Sequence, residues 1–230
     1  MGQFIHLTSA DGVKVPAYVA EPAGKPKGAI VVVQEIFGVN SHIRNVADGY
    51  AAAGYLAVAP ATFHRVQTDV DLGYSEADMG TGFGFKTAVD ALAAPGVMQD
   101  LQAAIDYARK GVAAGKVGIV GYCWGGLLTW RSACALSGLS AAVSYYGGGM
   151  TTAEESARQP ACPVLAHFGN KDHWIALDTV EAFKLAHPEV QVHIYEADHG
   201  FNCDQRGSYN ESAAKLALER THAFFAKHLD

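Results

Sequence analysis

One five-residue segment combines a nucleophile with the glycines that such a nucleophile needs. The segment reads Gly121-Tyr122-Cys123-Trp124-Gly125. The order G-x-nucleophile-x-G is typical of a sharp strand-to-helix turn, in which side chains at the flanking positions would clash with neighbouring backbone. At a helix N-terminus the dipole favours a thiolate. A core-filling cysteine is the alternative, but the strand-like KVGIV before the turn and the apolar stretch after it favour the nucleophile.

A cysteine nucleophile in this turn needs an acid and a base, which follow it in that order along the chain. Asp172 and His199 each come shortly after a later predicted strand. Because parallel strands end at one edge of a sheet, we expect Cys123, Asp172 and His199 to meet there. His199 would accept the thiol proton, and Asp172 would orient the imidazole and stabilise its charged form.

Other residues could take these roles. His173 is the main rival for the base, although it directly follows the acid in an extended segment. The rivals for the acid are Asp178, Asp198 and Asp204. We predict that the pair is nevertheless Asp172 and His199.

The other three cysteines lack the context of a nucleophile. Cys134 lies inside a predicted helix, and Cys162 precedes a proline. Cys203 follows His199 closely and could line a pocket. In a redox sensor that used Cys123, Cys203 alone could serve as the resolving cysteine.

The loop after the run AIVVVQ predicts the second half of an oxyanion hole. One donor would be the N–H of Trp124, and the other would come from the loop 35–38. Glu35 in this loop is costly near a buried thiol unless it is paired. It is either a solvated acid at the rim or a residue that contacts Cys123 or Arg44 and tunes the thiol proton.

Short β-branched runs alternate with Ala- and Leu-rich stretches along the chain, and this rhythm predicts the elements that position these residues. Predicted strands cover 29–34, 55–59, 116–120, 141–146, 163–168 and 190–195; predicted helices cover 42–53 with Ser41 as N-cap, 97–114, 125–136, 177–186 and 212–225. Alternating strands and helices indicate an α/β fold with a mostly parallel sheet and helices on both faces.

The segment 62–95 interrupts this rhythm. It contains the run GTGFGF at 80–85, which does not have the spacing of a dinucleotide-binding loop. A long Gly-rich insert is more often a functional lid than a disordered loop. Because no linker or repeat is visible, we predict one domain over 1–230 that carries a lid-like, irregular insert.

Composition and charge exclude several classes of protein. Of 230 residues, 50% are apolar and 17% are charged, which excludes a disordered chain. A net charge of −6 without a basic run argues against nucleic-acid or membrane partners. No C-x-x-C pair is present, so we expect no metal and no cofactor. No secretory signal is visible, so we expect a cytoplasmic protein. Its expected oligomeric state is a monomer or a small homo-oligomer.

Five sequence blocks together resemble the dienelactone hydrolase family of the α/β-hydrolase superfamily. They are QEIFGVN at 34–40, KVGIVGYCWGG at 116–126, SYYG at 144–147, KDHW at 171–174 and DHGF at 198–201. The resemblance implies an α/β-hydrolase fold and a triad of Cys123, His199 and Asp172. It further implies that Glu35 pairs with the resting thiol until substrate binds. The oxyanion donors would be the amides of Ile36 and Trp124.

The resemblance also implies a function and a pocket. The expected function is hydrolysis of a small ester or lactone through a cysteinyl acyl-enzyme, by a carboxymethylenebutenolidase or a related carboxylesterase. A cysteine-dependent thioesterase or acyltransferase, or a non-catalytic hydrolase-like binding module, is the alternative. The pocket would be lined by Phe37, Tyr146 and Trp174.

The sequence departs from the family at the arginines that bind a substrate carboxylate. One is expected four residues after the catalytic histidine, where Cys203 stands, and Arg206 follows three residues later. The insert offers only Arg65 and Lys86. From these positions we expect a less anionic ester or lactone to serve as substrate as well as dienelactone.

Overall fold

The computed structural model describes residues 2–230, and one eight-stranded sheet forms its centre. The strands are β1 (Gln3–Thr8), β2 (Lys14–Ala20), β3 (Ala29–Val33), β4 (Leu56–Pro60), β5 (Val117–Tyr122), β6 (Ala141–Tyr145), β7 (Val164–Gly169) and β8 (Gln191–Tyr195). Their spatial order is β1-β2-β4-β3-β5-β6-β7-β8. β2 pairs antiparallel with β1 and β4, and all other pairs are parallel. The predicted fold class is thereby confirmed.

Helices cover both faces of the sheet. They are α1 (Ser41–Ala52), α2 (Glu76–Asp90), α3 (Met98–Lys110), α4 (Trp124–Ala135), α5 (Ala153–Ser156), α6 (Leu177–Ala186) and α7 (Glu211–Leu229). Tyr50 of α1 packs against Phe225 of α7, with ring centroids 6.0 Å apart. Trp130 of α4 packs against Phe183 of α6 at 5.2 Å. Within residues 2–230, no helix is both long and apolar enough to cross a lipid bilayer.

Burial explains which strands the sequence predicted well. Every residue of β3 through β7 is buried, because each of these strands is covered from both sides. Their near-continuous apolar runs are therefore visible in the sequence. β1 lies at the edge of the sheet with most of its residues exposed. β1 has no such run, and the sequence does not predict it. β2 is also absent from the predicted strands although it is mostly buried, because Pro16 interrupts its apolar run.

The first helix has a different cap from the predicted one. The side chain of Asn40, not Ser41, accepts a hydrogen bond from the N–H of Ile43 at 3.2 Å. The prediction of Ser41 as N-cap is therefore wrong by one residue. Both residue types satisfy free N–H groups at a helix start, so the local sequence alone does not separate them.

The insert 62–95 contains a helix, so the prediction of an irregular segment is wrong over α2. Ser75 and Asp78 form a capping box at its start. The glycines of GTGFGF, which lower helix propensity, hid the helix. One of them permits a close approach, because a Cβ on Gly82 would lie 2.1 Å from the carbonyl oxygen of Ile36. α2 therefore packs directly on the loop after β3.

Helix α4 lies equally close to the end of β3. A Cβ on Gly125 would lie 2.5 Å from the carbonyl oxygen of Val33 and 2.3 Å from that of Gln34. Real side chains do not tolerate such distances, so any larger residue would push the helix away from the sheet.

We expect Gly125→Ala to lower the free energy of unfolding by about 3 kcal/mol or more, because backbone must shift to admit the methyl group. The matched control is Gly49→Ala on α1, where an added Cβ would meet nothing within 4 Å. This change should raise stability by about 0.5–1 kcal/mol through helix propensity. Urea unfolding measures both, and equal effects would contradict the close packing of α4.

Candidate active site

Cys123 occupies a strained turn between β5 and α4. Its backbone has φ +56° and ψ −120°, a region that residues with a side chain rarely adopt. The Cys123 N–H donates to the carbonyl of Tyr145 at 3.0 Å, and the Cys123 carbonyl accepts from the N–H of Gly126 at 2.9 Å. The side chain is partly exposed, at the N-terminus of a buried helix. The predicted strand–turn–helix context of the cysteine is therefore present.

A fixed carboxylate holds the imidazole of His199. Nδ1 of His199 lies 2.7 Å from Oδ2 of Asp172, and both side chains are buried. Oδ1 of Asp172 accepts the N–H groups of Trp174 at 2.8 Å and Ile175 at 3.1 Å. With these bonds the carboxylate cannot rotate freely, and it orients the imidazole so that Nε2 is the nitrogen left for chemistry.

The electrostatics of His199 reflect two opposing effects. Burial disfavours the charged imidazolium and lowers the pKa of His199. The negative charge of Cys123 and the hydrogen bonds with Asp172 and Cys123 outweigh burial, and together they raise the pKa of His199 to about 10. The thiol and the imidazole therefore interact as a coupled acid–base pair.

The rival residues lie elsewhere. His173 is exposed, and its Nε2 is 3.9 Å from a carboxylate oxygen of Asp198. Asp198 itself accepts the backbone N–H of His199 at 2.6 Å. Asp178 accepts the N–H of the next residue at the start of α6, and the carboxylate of Asp204 is exposed. In the described part of the chain, none of these rival acids hydrogen-bonds the imidazole of His199.

Glu35 is buried, and its two oxygens have different partners. Oε1 lies 3.2 Å from Nη1 of Arg206, and Oε2 accepts the hydroxyl of Tyr74 at 3.0 Å. Arg44, the arginine predicted as a possible partner, instead pairs with Asp71 at 2.9 Å. The prediction that Glu35 contacts Arg44 is therefore wrong, and Glu35 is not a solvated acid at the rim.

Arg206 supplies a cation that the sequence analysis expected to be absent. Its guanidinium lies 5.9 Å from the ring centroids of Phe37 and Tyr74. Two short turns bring it there, because the N–H of Cys203 donates to Gly200 at 2.9 Å and that of Arg206 donates to Cys203 at 3.1 Å. Counting positions from His199 missed this arginine, because the turns shorten the path through space.

Cys123, His199 and Arg206 border one cavity of about 290 Å³ at the carboxyl edge of the sheet. The predicted site residues among its lining are Ile36, Phe37, Cys123, Trp124, Trp174 and His199. Tyr146 is not among the lining residues. It is fully buried, and its ring lies 5.1 Å from the imidazole of His199, so that it packs behind the histidine.

Helix α2 forms one wall of the cavity. Met79, Phe83 and Lys86 on this helix line it. The ring of Phe83 lies 5.7 Å from the ring of Trp174, and both side chains are exposed. The insert therefore covers part of the cavity and contacts Trp174 there.

The two cations of the insert, Lys86 and Arg65, form ion pairs with different acids. Nζ of Lys86 lies 2.7 Å from Asp90, whose other oxygen accepts the indole N–H of Trp124 at 3.2 Å. This network ties the end of α2 to the cysteine turn. Arg65, the other cation of the insert, pairs with the buried Asp100 at 2.7 Å and does not line the cavity.

The two predicted oxyanion donors face the same cavity. Ile36 and Trp124 both line it, and among residues 2–230 neither of their N–H groups donates to a backbone acceptor. Backbone amides of this kind can stabilise negative charge that develops on a carbonyl oxygen. The arrangement is suited to nucleophilic attack by a thiolate on an acyl group.

Comparison with known proteins gives a family match over nearly the whole chain. The model of the dienelactone hydrolase family matches residues 15–229. A carboxymethylenebutenolidase of Pseudomonas putida is 38% identical over 229 residues, which cover 96% of this chain and 95% of that protein. A carboxymethylenebutenolidase of Pseudomonas knackmussii matches to the same extent.

Solved structures give the same result for the fold. A crystal structure from Klebsiella pneumoniae, named as a candidate dienelactone hydrolase, is 36% identical and superposes with a TM-score of 0.84 over 98% of each chain. A dienelactone hydrolase-like promiscuous phosphotriesterase from metagenomic libraries is 21% identical, with a TM-score of 0.78, and covers 100% of this chain and 99% of its own. At that lower identity only the fold is shared.

We expect the imidazole of His199 to titrate near pH 10 in the wild-type protein and at a lower pH in Asp172→Asn, because the variant removes the carboxylate that favours the imidazolium. Ring signals in an NMR pH titration of histidine-labelled protein measure both. His228 is the internal control, since burial and Lys227 lower its pKa in either protein. An unchanged midpoint for His199 in Asp172→Asn would contradict the role of the carboxylate.

The same shift predicts a pH dependence of stability. The pKa of His199 is higher in the folded chain than in the unfolded chain, so its contribution to stability is fully present below pH 6.5 and is lost as the pH rises towards 10. The gap in unfolding free energy between the wild type and Asp172→Asn should narrow over this range, as measured by urea titrations at several pH values.

Proposed function

The chain belongs to the dienelactone hydrolase family and is a hydrolase of the ester and lactone class, and we propose that it cleaves a small ester or lactone through a cysteinyl acyl-enzyme. One observation carries the mechanism. A cysteine in a strained turn at a helix N-terminus and an imidazole bonded to a fixed carboxylate border the same cavity.

In the proposed first half-reaction, Nε2 of His199 accepts the thiol proton and Sγ of Cys123 attacks the carbonyl carbon. The amides of Ile36 and Trp124 stabilise the oxyanion of the tetrahedral intermediate. When the intermediate collapses, the C–O bond to the leaving alcohol breaks and His199 returns its proton to that oxygen. The product is a thioester on Cys123; from a lactone, the alcohol stays attached to the acyl chain.

In the second half-reaction, water attacks the thioester carbon while His199 accepts one of its protons. Collapse of the second intermediate releases the carboxylic acid, and Cys123 regains its proton from His199. Asp172 stays hydrogen-bonded to Nδ1 throughout and stabilises the imidazolium that forms in each half.

We propose that Glu35 controls the proton of the resting thiol. The support is its position: Glu35 is buried and directly precedes Ile36, which lines the cavity, and besides burial the charges of both Glu35 and Cys123 raise the pKa of Tyr146. Arg206 neutralises the carboxylate in this state. A substrate that draws Arg206 away would leave Glu35 without its partner, and Glu35 would then turn away from Cys123, so that the thiol proton passes to His199.

The cavity also supports a substrate class. A volume of about 290 Å³ lies at the small end of ligand pockets. Arg206 and Lys86 border the cavity, and each is neutralised by one acid, Glu35 and Asp90 respectively. We propose that the substrate carries a carboxylate, which replaces Glu35 as the partner of Arg206.

Cys123→Ala should reduce kcat/KM for p-nitrophenyl acetate on the order of 10³-fold or more, because no acyl-enzyme can form without the thiolate. The matched control is Cys162→Ala, which removes a half-buried cysteine outside the cavity. Rapid-mixing kinetics of p-nitrophenol release provide the measurement. Undiminished turnover by Cys123→Ala would rule out the acyl-enzyme mechanism.

Arg206→Gln should lower the preference for an anionic substrate. For a lactone that bears a carboxylate and for its methyl ester, the ratio of kcat/KM values should fall roughly 10- to 100-fold, since a hydrogen bond to a charged group contributes about 1.5–3 kcal/mol. Using the ratio cancels any general loss that follows from disturbing Glu35.

Arg109→Gln at the exposed end of α3 is the matched control and should leave this ratio unchanged. If Arg206→Gln slows both substrates equally, the carboxylate does not bind Arg206. That result would remove the proposed substrate class and leave the acyl-enzyme mechanism standing.

A further inference from the structure

Three buried side chains with metal-binding atoms meet behind the reaction cavity. A carboxylate oxygen of Glu35, a ring nitrogen of His42 and the sulfur of Cys203 all lie within 4.8 Å of one another. Each residue is at most 4% exposed. Glu35 follows β3, His42 is in the first turn of α1, and Cys203 lies in the loop before α7.

The imidazole of His42 provides an independent observation in favour of a bound ligand at this cluster. Its Nε2 is buried and has no hydrogen-bond partner among residues 2–230. An unpaired polar atom in a protein interior costs about 1–3 kcal/mol and calls for an explanation. Nδ1 of the same ring lies 3.6 Å from the carboxylate of Asp204, and a carboxylate beside a ring nitrogen is how metal-binding histidines are commonly oriented.

We propose that Glu35, His42 and Cys203 form a binding site for Zn²⁺. A carboxylate, an imidazole and a thiolate are all ligands that zinc accepts, and the two anionic ligands balance its charge. Magnesium and calcium are disfavoured, because they require sets of oxygen ligands. In a tetrahedral zinc site the ligand atoms are roughly 3.3–3.7 Å apart, so the cluster, whose atoms lie within 4.8 Å of one another, must contract by at most about 1.5 Å.

Binding would rearrange the partners of Glu35. Its oxygens now contact Arg206 and Tyr74, and zinc would compete with the guanidinium for the carboxylate. The proton of the Cys203 thiol would pass to solvent as the S–Zn bond forms, and water would complete the tetrahedron. Because Glu35 pairs with Arg206, which lines the reaction cavity, an occupied site would couple zinc to the resting state of the enzyme.

The site has its own route from solvent. His42 and Asp204 line a second cavity, of about 450 Å³, between α1 and α7. This cavity does not include Cys123 or His199. Of the three ligands only His42 lines this cavity, so a metal ion that enters here meets His42 first, outside the reaction cavity.

The test uses full-length Cys123→Ser protein, so that the thiol in the reaction cavity cannot bind the metal. Titration with Co²⁺, a spectroscopic substitute for Zn²⁺, should give a sulfur-to-cobalt charge-transfer band that saturates at one equivalent and is bleached by Zn²⁺. Adding Cys203→Ser should abolish the band, and adding His42→Asn should weaken binding at least tenfold. Adding Cys162→Ser is the matched control and should leave the band unchanged.

A band that survives Cys203→Ser, or the absence of any band in Cys123→Ser, would overturn the proposal. Circular dichroism establishes that each variant is folded. If a variant does not fold, X-ray absorption of zinc-loaded Cys123→Ser decides the matter: one sulfur and otherwise nitrogen or oxygen neighbours support the site, and a shell without sulfur refutes it. No readout involves catalysis, so these outcomes are independent of the proposed hydrolase mechanism.

Discussion

The left-handed backbone of Cys123 is the constraint on which the rest of the site depends. Such a conformation is unfavourable for a residue with a side chain and persists only where the surrounding structure holds it. Here β5 ends just before Cys123 and α4 begins just after it. Gly121 and Gly125 have no side chains, which allows both elements to pack closely against neighbouring backbone. The same packing places the thiol at the N-terminus of a buried helix, at the edge of the cavity.

Charges around the cavity are arranged in pairs. Glu35 is balanced by Arg206, and Lys86 is balanced by Asp90. Unpaired charges in a site of low solvent access are costly, so each of these two cations keeps an acid as its partner. Asp90 also contacts the indole of Trp124, so the covering helix α2 and the cysteine turn are held by one network. A cation that lines the cavity, Lys86, is therefore joined to the residue next to Cys123 through a single side chain, Asp90.

Local patterns predicted most of the fold because the fold is built from buried parallel strands. Apolar runs, turn glycines and helical periodicity are short-range signals, and they located β3 through β8 and five helices. The bounds agree within a few residues, except that α3 ends earlier and α7 ends later than predicted. These signals failed where capping and tertiary contacts outweigh the intrinsic helix or strand propensity of a segment. α2 is rich in glycine, and its helix is maintained by a capping box and by the close contact of Gly82 with the loop after β3. The exposed edge strand β1 had no apolar run to find.

By itself, the sequence determined the fold class and the candidate trio of Cys123, Asp172 and His199, since strand ends and turn chemistry are local and parallel strands share one edge. Only the tertiary structure decided that Arg206 is the partner of Glu35, and that Cys203 lies beside it rather than in the cavity. Those contacts join residues far apart in the chain. They depend on how tightly the loop before α7 turns and how far each side chain reaches, which sequence spacing does not encode.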